Sequence, residues 1–164
     1  MTFEDQRLVP LLAKIEAGVP LDAGDARLLY RSSDLHGIAH LANLVRQRRH
    51  GDRAWSRQDL GATPISDATR EERIATLLAH GPSECYEPPL EPGLSGYAYL
   101  KHVAVARLLL DRVDHIVVRH CQEVENVCQV ALRFGADTLA GANVAELDRQ
   151  IAAAGFQLAS DTAN

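Results

Sequence analysis

The sequence is short of the features that mark membrane and secreted proteins. No stretch approaches the ~20 consecutive apolar residues of a membrane-spanning helix. The opening MTFEDQRLVP carries acids where a signal peptide needs basic residues followed by an apolar run. The three cysteines are odd in number and include no close Cys-x-x-Cys pair, which argues against a disulfide framework and a zinc knuckle. We therefore expect a cytoplasmic protein with reduced thiols.

An excess of positive charge is also missing. The net charge is −5 and aromatic residues make up 5% of the chain. One local basic cluster, RQRRHGDR at residues 46–53, could contact phosphates, but it has no interleaved aromatic residues and sits in an acidic protein. It fits a solvated helix end better, because positive side chains favour a helix C-terminus. Neither a nucleic acid nor a membrane is expected as a partner.

The chain does contain enough apolar residues for a packed core. Its 164 residues suit one domain spanning 1–164, which can bury roughly 70% of the surface of the unfolded chain. Apolar residues recur at helical spacing in several segments, Asp22 and Thr69 are candidate helix caps, and residues 97–110 predict a helix buried on most sides. Glycine and proline place irregular connections at about residues 51–68 and 81–96.

These patterns predict a mainly α fold, a bundle of six to seven helices with at most two short strands. The strand candidates are residues 115–118, a β-branched run, and residues 156–159. A complete TIM barrel is excluded by length, because that fold typically needs ~250 residues.

Four segments together resemble a known enzyme family. They are LYRSSDLHGIAHLANLVRQRRHGDR (29–53), YLKHVAVARLLLDRVDHI (99–116), QVALRFGADTLAG (129–141) and VAELDRQIAAAGFQLASDT (144–162). They resemble parts of the radical S-adenosylmethionine enzymes of the futalosine route to menaquinone, the group of aminofutalosine synthase and cyclic dehypoxanthine futalosine synthase. The similarity covers the two ends of those enzymes, so it implies a truncated relative without the barrel core.

The sequence lacks the motif with which the resembled enzymes bind their iron–sulfur cluster. The family carries a Cys-x-x-x-Cys-x-x-Cys motif soon after the segment that HGDR resembles, and here AWSRQDLGATPISDATREER follows, without a cysteine. Three thiolates are needed to hold such a cluster with one iron left open. We therefore expect no iron–sulfur cluster, no radical chemistry and no catalytic residues.

His36 and His40 form a candidate metal site. The HxxxH spacing places two imidazoles one turn apart on a helix, as a metal site can use, but the glutamate of a zincin motif is absent. Further ligands for a transition metal or haem could come from His120, Cys121 and Cys85. The other interpretation is a solvated polar helix face without any cofactor.

The GADTLAG segment is the last candidate. Its pattern predicts a turn at a helix C-terminus in which the Asp137 side chain makes a hydrogen bond with its own backbone. In the resembled enzymes the equivalent turn lies near the substrate, so Asp137 and Thr138 could belong to a ligand-binding turn.

Two functional hypotheses follow. The first is a non-catalytic binding or accessory protein derived from a menaquinone-pathway radical enzyme. It would form a homodimer or pair with a full-length relative, because elements that lose the barrel need new packing partners. The alternative is a small metal- or haem-binding protein that uses the pair His36 and His40.

Overall fold

The computed structural model describes residues 2–59, 61–62, 64–91, 93–120 and 127–159. Within these ranges the chain forms seven α-helices. They are α1 (Val9–Glu16), α2 (Ala23–Arg31), α3 (Leu35–His50), α4 (Arg70–Ala79), α5 (Gly96–Leu109), α6 (Cys128–Ala131) and α7 (Val144–Ala153).

The same residues also form a five-stranded parallel sheet, which contradicts the prediction of a mainly α bundle with at most two strands. Its strands are β1 (Arg53–Gln58), β2 (Ser83–Tyr86), β3 (Val113–Arg119), β4 (Thr138–Gly141) and β5 (Gln157–Leu158). Their spatial order is β2-β3-β4-β1-β5, and every pairing is parallel. From β1 onwards strands alternate with helices, so the architecture is α/β.

The prediction missed three strands because their residues carry weak local signals. The strand β1, with sequence RAWSRQ, lies inside the predicted loop 51–68, and β2 lies inside the proline-rich segment 81–96. The strand β4 replaces part of the predicted turn and contains alanine and glycine, which are depleted in strands. Each is short, so pairing with neighbours distant in sequence decides its conformation. The candidates at 115–118 and 156–159 contain β3 and β5 residues, as predicted.

Helix boundaries follow the predicted caps. The Asp22 side chain accepts hydrogen bonds from the backbone N–H groups of Gly24 and Asp25. Thr69 and Glu72 form a reciprocal capping box at the start of α4. These side chains satisfy N–H groups that have no partner inside the helix, so both predicted starts are confirmed.

Helix α5 lies at the centre of the core, as predicted from its nearly all-round apolar character. Tyr99, Val103 and Ala104 are among its buried side chains, and its closest packing partner is α3. None of the helices in the described part of the chain combines the length and apolar character that crossing a bilayer requires.

The two faces of the sheet differ. Ala54, Ile116, Val118 and Leu139 belong to the apolar core shared with the helices. Because successive side chains of a strand point to opposite faces, His115 and Val117 on β3 lie on the other face. Since all strands are parallel, their amino ends share one edge of the sheet and their carboxyl ends the opposite edge.

Candidate functional site

A cleft of about 760 Å³ lies among the helices α2 to α5. This volume falls within the range of small-molecule sites, about 300–1,000 Å³. The first turns of α3, α4 and α5 all contribute to its wall. Its lining residues are Glu4, Tyr30, Ser33, Leu35, His36, Ala68, Thr69, Arg70, Arg73, Glu91, Leu94, Ser95, Tyr97, Ala98, Lys101 and His102.

One part of the cleft wall is a buried polar group built on Arg73 and His102. Arg73 Nη1 lies 3.2 Å from His102 Nε2, and His102 Nδ1 lies 3.2 Å from the Tyr30 hydroxyl. The Glu91 carboxylate pairs with Arg73 and approaches His102 Nε2 at 3.3 Å. Burial, with the neighbouring Arg73 charge, lowers the pKa of His102 to about 4. The ring is therefore neutral at pH 7, and its Nε2 can accept a hydrogen bond from Arg73.

The rest of the cleft offers apolar surface and a few further polar groups. Leu35 and Leu94 are partly buried against the core, whereas Tyr97 is 74% exposed. Lys101 Nζ donates to the Ser32 carbonyl at 2.7 Å, so this cation stabilises the end of α2. Apolar walls with a small number of fixed polar groups are typical of a site for a small organic molecule.

A second cluster, His50, His115 and Asp137, lies at the amino edge of the sheet. His50 ends α3, His115 lies in β3, and Asp137 comes directly before β4. The two imidazole rings stack with centroids 5.1 Å apart, and the ring of Trp55 meets both edge-on. One ligand atom from each of the three residues falls within 4.8 Å of the others, so proximity alone would allow a shared metal ion.

The contacts of Asp137 favour a structural role for this cluster. Its Oδ2 accepts from Arg107 Nη2 and from the Ile116 N–H, and its Oδ1 accepts from Thr138 Oγ1 and lies 2.7 Å from His115 Nδ1. A metal ion would have to displace these partners and would meet the positive charge of Arg107. The amino edge also argues against a ligand site, since open α/β sheets bind ligands at the carboxyl ends of their strands.

The protonation of the two histidines fits this role. The hydrogen bond that His115 Nδ1 donates to the Asp137 carboxylate raises the pKa of His115, whereas burial lowers the pKa of His50. Arg107 and Asp137 side chains are both 0% exposed. Arg107 and Asp137 therefore join α5 to the start of β4 by a buried ion pair, and removing either partner would strongly destabilise the fold.

At the opposite, carboxyl edge, an ion-pair group joins three strands. Arg119 at the end of β3 donates to Glu87 Oε1 at 2.9 Å and to Asp59 Oδ2 at 2.9 Å. The guanidinium lowers the pKa of Asp59 to about 2. Asp59 follows β1 and Glu87 follows β2, so this group fixes the ends of strands distant in sequence.

Of the sequence-predicted metal ligands, the structure describes the histidines His36, His40 and His120, and these are not brought into one group. His36 is exposed at the rim of the cleft, His40 packs edge-on against Phe3, and His120 follows β3. Cys121 lies outside the described residues. Among the residues that are described, His50, His115 and Asp137 are the group close enough to share an ion, so the ligand set His36, His40, His120 and Cys121 stays a prediction.

The predicted ligand turn is placed differently from expectation. Gly135 does end the preceding helical segment in a left-handed conformation, as expected. The Asp137 side chain, however, pairs with Arg107 and His115 instead of its own backbone, and Thr138 begins β4. Recognising β4 in the sequence would have placed Asp137 at a strand start, next to the start of β3.

The comparisons with known proteins give one partial similarity. No protein-family model matches the sequence. Over 53 residues, 32% of its length, the chain is 41% identical to aminodeoxyfutalosine synthase of Thermus thermophilus. The matching segment spans 14% of that enzyme's length. This similarity supports a relation between the chain and that enzyme's family.

Proposed function

We propose that this protein binds a small organic molecule in the cleft among α2 to α5 and acts as a binding or accessory protein without catalytic activity of its own. The observation that carries the proposal is the cleft itself, about 760 Å³ with a buried Arg73 in its wall. Arg73 and His102 would fix the polar part of the ligand, and the apolar wall around Leu35 and Leu94 would contact its body.

The partial similarity to aminodeoxyfutalosine synthase supports a place for this protein in menaquinone biosynthesis. The proposed relationship is a derivative without the radical activity, because these 164 residues contain three cysteines and no Cys-x-x-x-Cys-x-x-Cys motif. A cluster that binds S-adenosylmethionine needs three such thiolates. The five parallel strands alternating with helices are compatible with part of an eight-stranded barrel.

Thermal unfolding in the presence of aminodeoxyfutalosine tests this function. A ligand at 100 times its Kd stabilises the folded state by about 2.7 kcal/mol. For a chain of this size such a gain raises Tm by roughly 5–10 °C. Ala98→Trp, which fills the cleft, should abolish the shift, whereas Ala152→Trp on the exposed side of α7 should retain it. An unchanged wild-type Tm, or a shift that survives Ala98→Trp, would contradict the proposal.

The partner is also part of the proposal. We propose a homodimer or a complex with a full-length radical enzyme of the same pathway. Light scattering of the purified protein measures the first, and affinity capture from the native host measures the second. A monomer that recovers no menaquinone-pathway protein would contradict both.

A further inference from the structure

The Glu91 carboxylate occupies the most polar part of the cleft. It pairs with Arg73 Nη2 and lies 3.3 Å from His102 Nε2. The Arg73 side chain is 7% exposed, whereas that of Glu91 is 28% exposed. The cation is thus fixed in the wall, and its anionic partner reaches it from the solvent side.

Arg73 keeps its position without help from Glu91. Its Nη2 donates to the Ala68 carbonyl at 3.1 Å, and its Nη1 contacts His102, which in turn contacts the Tyr30 hydroxyl. Its Nε is buried and has no hydrogen-bond partner among the described residues. The guanidinium is therefore held in place with donor capacity to spare for a planar anion.

Glu91 can leave this position by side-chain rotation alone. The preceding residue, Leu90, is buried, its N–H donates to the Pro64 carbonyl, and its carbonyl accepts from the Ser66 N–H, both at 2.8 Å. These bonds hold the backbone, while the glutamate side chain has rotatable torsions and a path to solvent.

Charge balance then restricts what can replace Glu91. A neutral ligand that displaced it would leave the buried charge of Arg73 unpaired, which is strongly unfavourable. A ligand that brings its own carboxylate exchanges one charge-assisted hydrogen bond for another. The ligand must therefore carry an anion at this end, or leave Glu91 where it is.

We propose that the Glu91 carboxylate is an internal stand-in for a carboxylate of the ligand, which displaces it and pairs with Arg73. The ligand class is a small organic acid whose apolar or aromatic body lies against Tyr30, Leu35 and Leu94. This inference rests on the proposed function of the cleft. It adds that Glu91 competes with the ligand and lowers its affinity.

Phenylacetate and its neutral analogue phenylacetamide test the inference by NMR titration. In the wild type, phenylacetate should bind more tightly than phenylacetamide and should shift the Arg73 Nε resonance. Glu91→Gln removes the competing charge and should tighten phenylacetate binding about tenfold, equivalent to about 1.4 kcal/mol. Glu84→Gln, an exposed acid on β2 outside the cleft, should leave the Kd unchanged.

The outcomes separate the two proposals. If both compounds shift cleft resonances equally, or if Glu91→Gln binds phenylacetate no more tightly, the stand-in role of Glu91 is refuted while ligand binding in the cleft survives. If neither compound nor aminodeoxyfutalosine perturbs the cleft in any variant, the proposed function fails as well. Should Glu91→Gln not fold, the wild-type preference for phenylacetate and the Arg73 Nε shift decide the question.

Discussion

Replacement of Asp137 by asparagine should destabilise the fold far more than an ordinary surface change. The carboxylate is 0% exposed and neutralises Arg107, which is also 0% exposed. Asparagine keeps the shape of the side chain but removes its charge, so the Arg107 cation stays buried without compensation. Breaking a buried ion pair from one side costs about 3–5 kcal/mol. For a chain of this length we expect Tm to fall by roughly 6–20 °C.

Urea unfolding followed by fluorescence measures this loss directly. The single tryptophan, Trp55, contacts the rings of His50 and His115 in the same cluster, so its emission reports on that site. Asp114→Asn is the matched control, because Asp114 is 68% exposed and touches Arg49 at 3.4 Å; it should cost less than about 1 kcal/mol.

Two results would refute this reasoning. One is an Asp137→Asn variant whose free energy of unfolding stays within about 1 kcal/mol of the wild type. The other is a stoichiometric rise in wild-type Tm with zinc that Asp137→Asn abolishes, because it would show that the cluster holds a metal instead of a structural ion pair.

Three further predictions concern other parts of the fold. Gly135→Ala should lower the free energy of unfolding by about 1–3 kcal/mol more than Gly18→Ala does. Both glycines have a positive φ, but of the two only Gly135 would place the new Cβ 2.8 Å from Arg107 Cβ. Urea unfolding of both variants measures the difference. His102 has a folded-state pKa of about 4, below its unfolded value near 6.5, so the stability that its neutral ring contributes is present above pH 6.5 and is lost as pH falls towards 4. The loss should be on the order of 3 kcal/mol, and a His102→Gln variant with the same pH slope of unfolding would contradict it. Thr69→Ala removes the cap of α4 and should cost about 1 kcal/mol; calorimetry that finds no loss would contradict the capping role.

The sequence predicted the helices well because their signals are local. The caps at Asp22 and Thr69 and the burial of α5 all follow from residues within a few turns of one another. The strands β1 and β4 are set by pairing between positions about 80 residues apart, such as Trp55 with Thr138. Residue spacing within a short window of sequence does not reveal that pairing, so the sequence predicts fewer strands than the sheet contains.

The sequence did not predict how the residues of the candidate sites are grouped, because those residues are also distant along the chain. The cleft combines Tyr30, Arg73, Glu91 and His102 from separate helices and a loop. The cluster at the amino edge combines His50, His115 and Asp137, and Asp137 pairs with Arg107. The HxxxH pair is visible in the sequence because His36 and His40 lie one turn apart on the same helix. His36 does reach the cleft rim, but it does so as one lining residue among many.

An amide NMR titration of the wild-type protein with aminodeoxyfutalosine tests ligand binding in the cleft most directly. If the ligand binds in the cleft, the largest shifts should fall on cleft residues such as Thr69, Ala98 and His102 and should saturate at one ligand per chain. Shifts that concentrate at Trp55 and His115 on the sheet, or no shifts at saturating ligand, would contradict a binding site in the cleft.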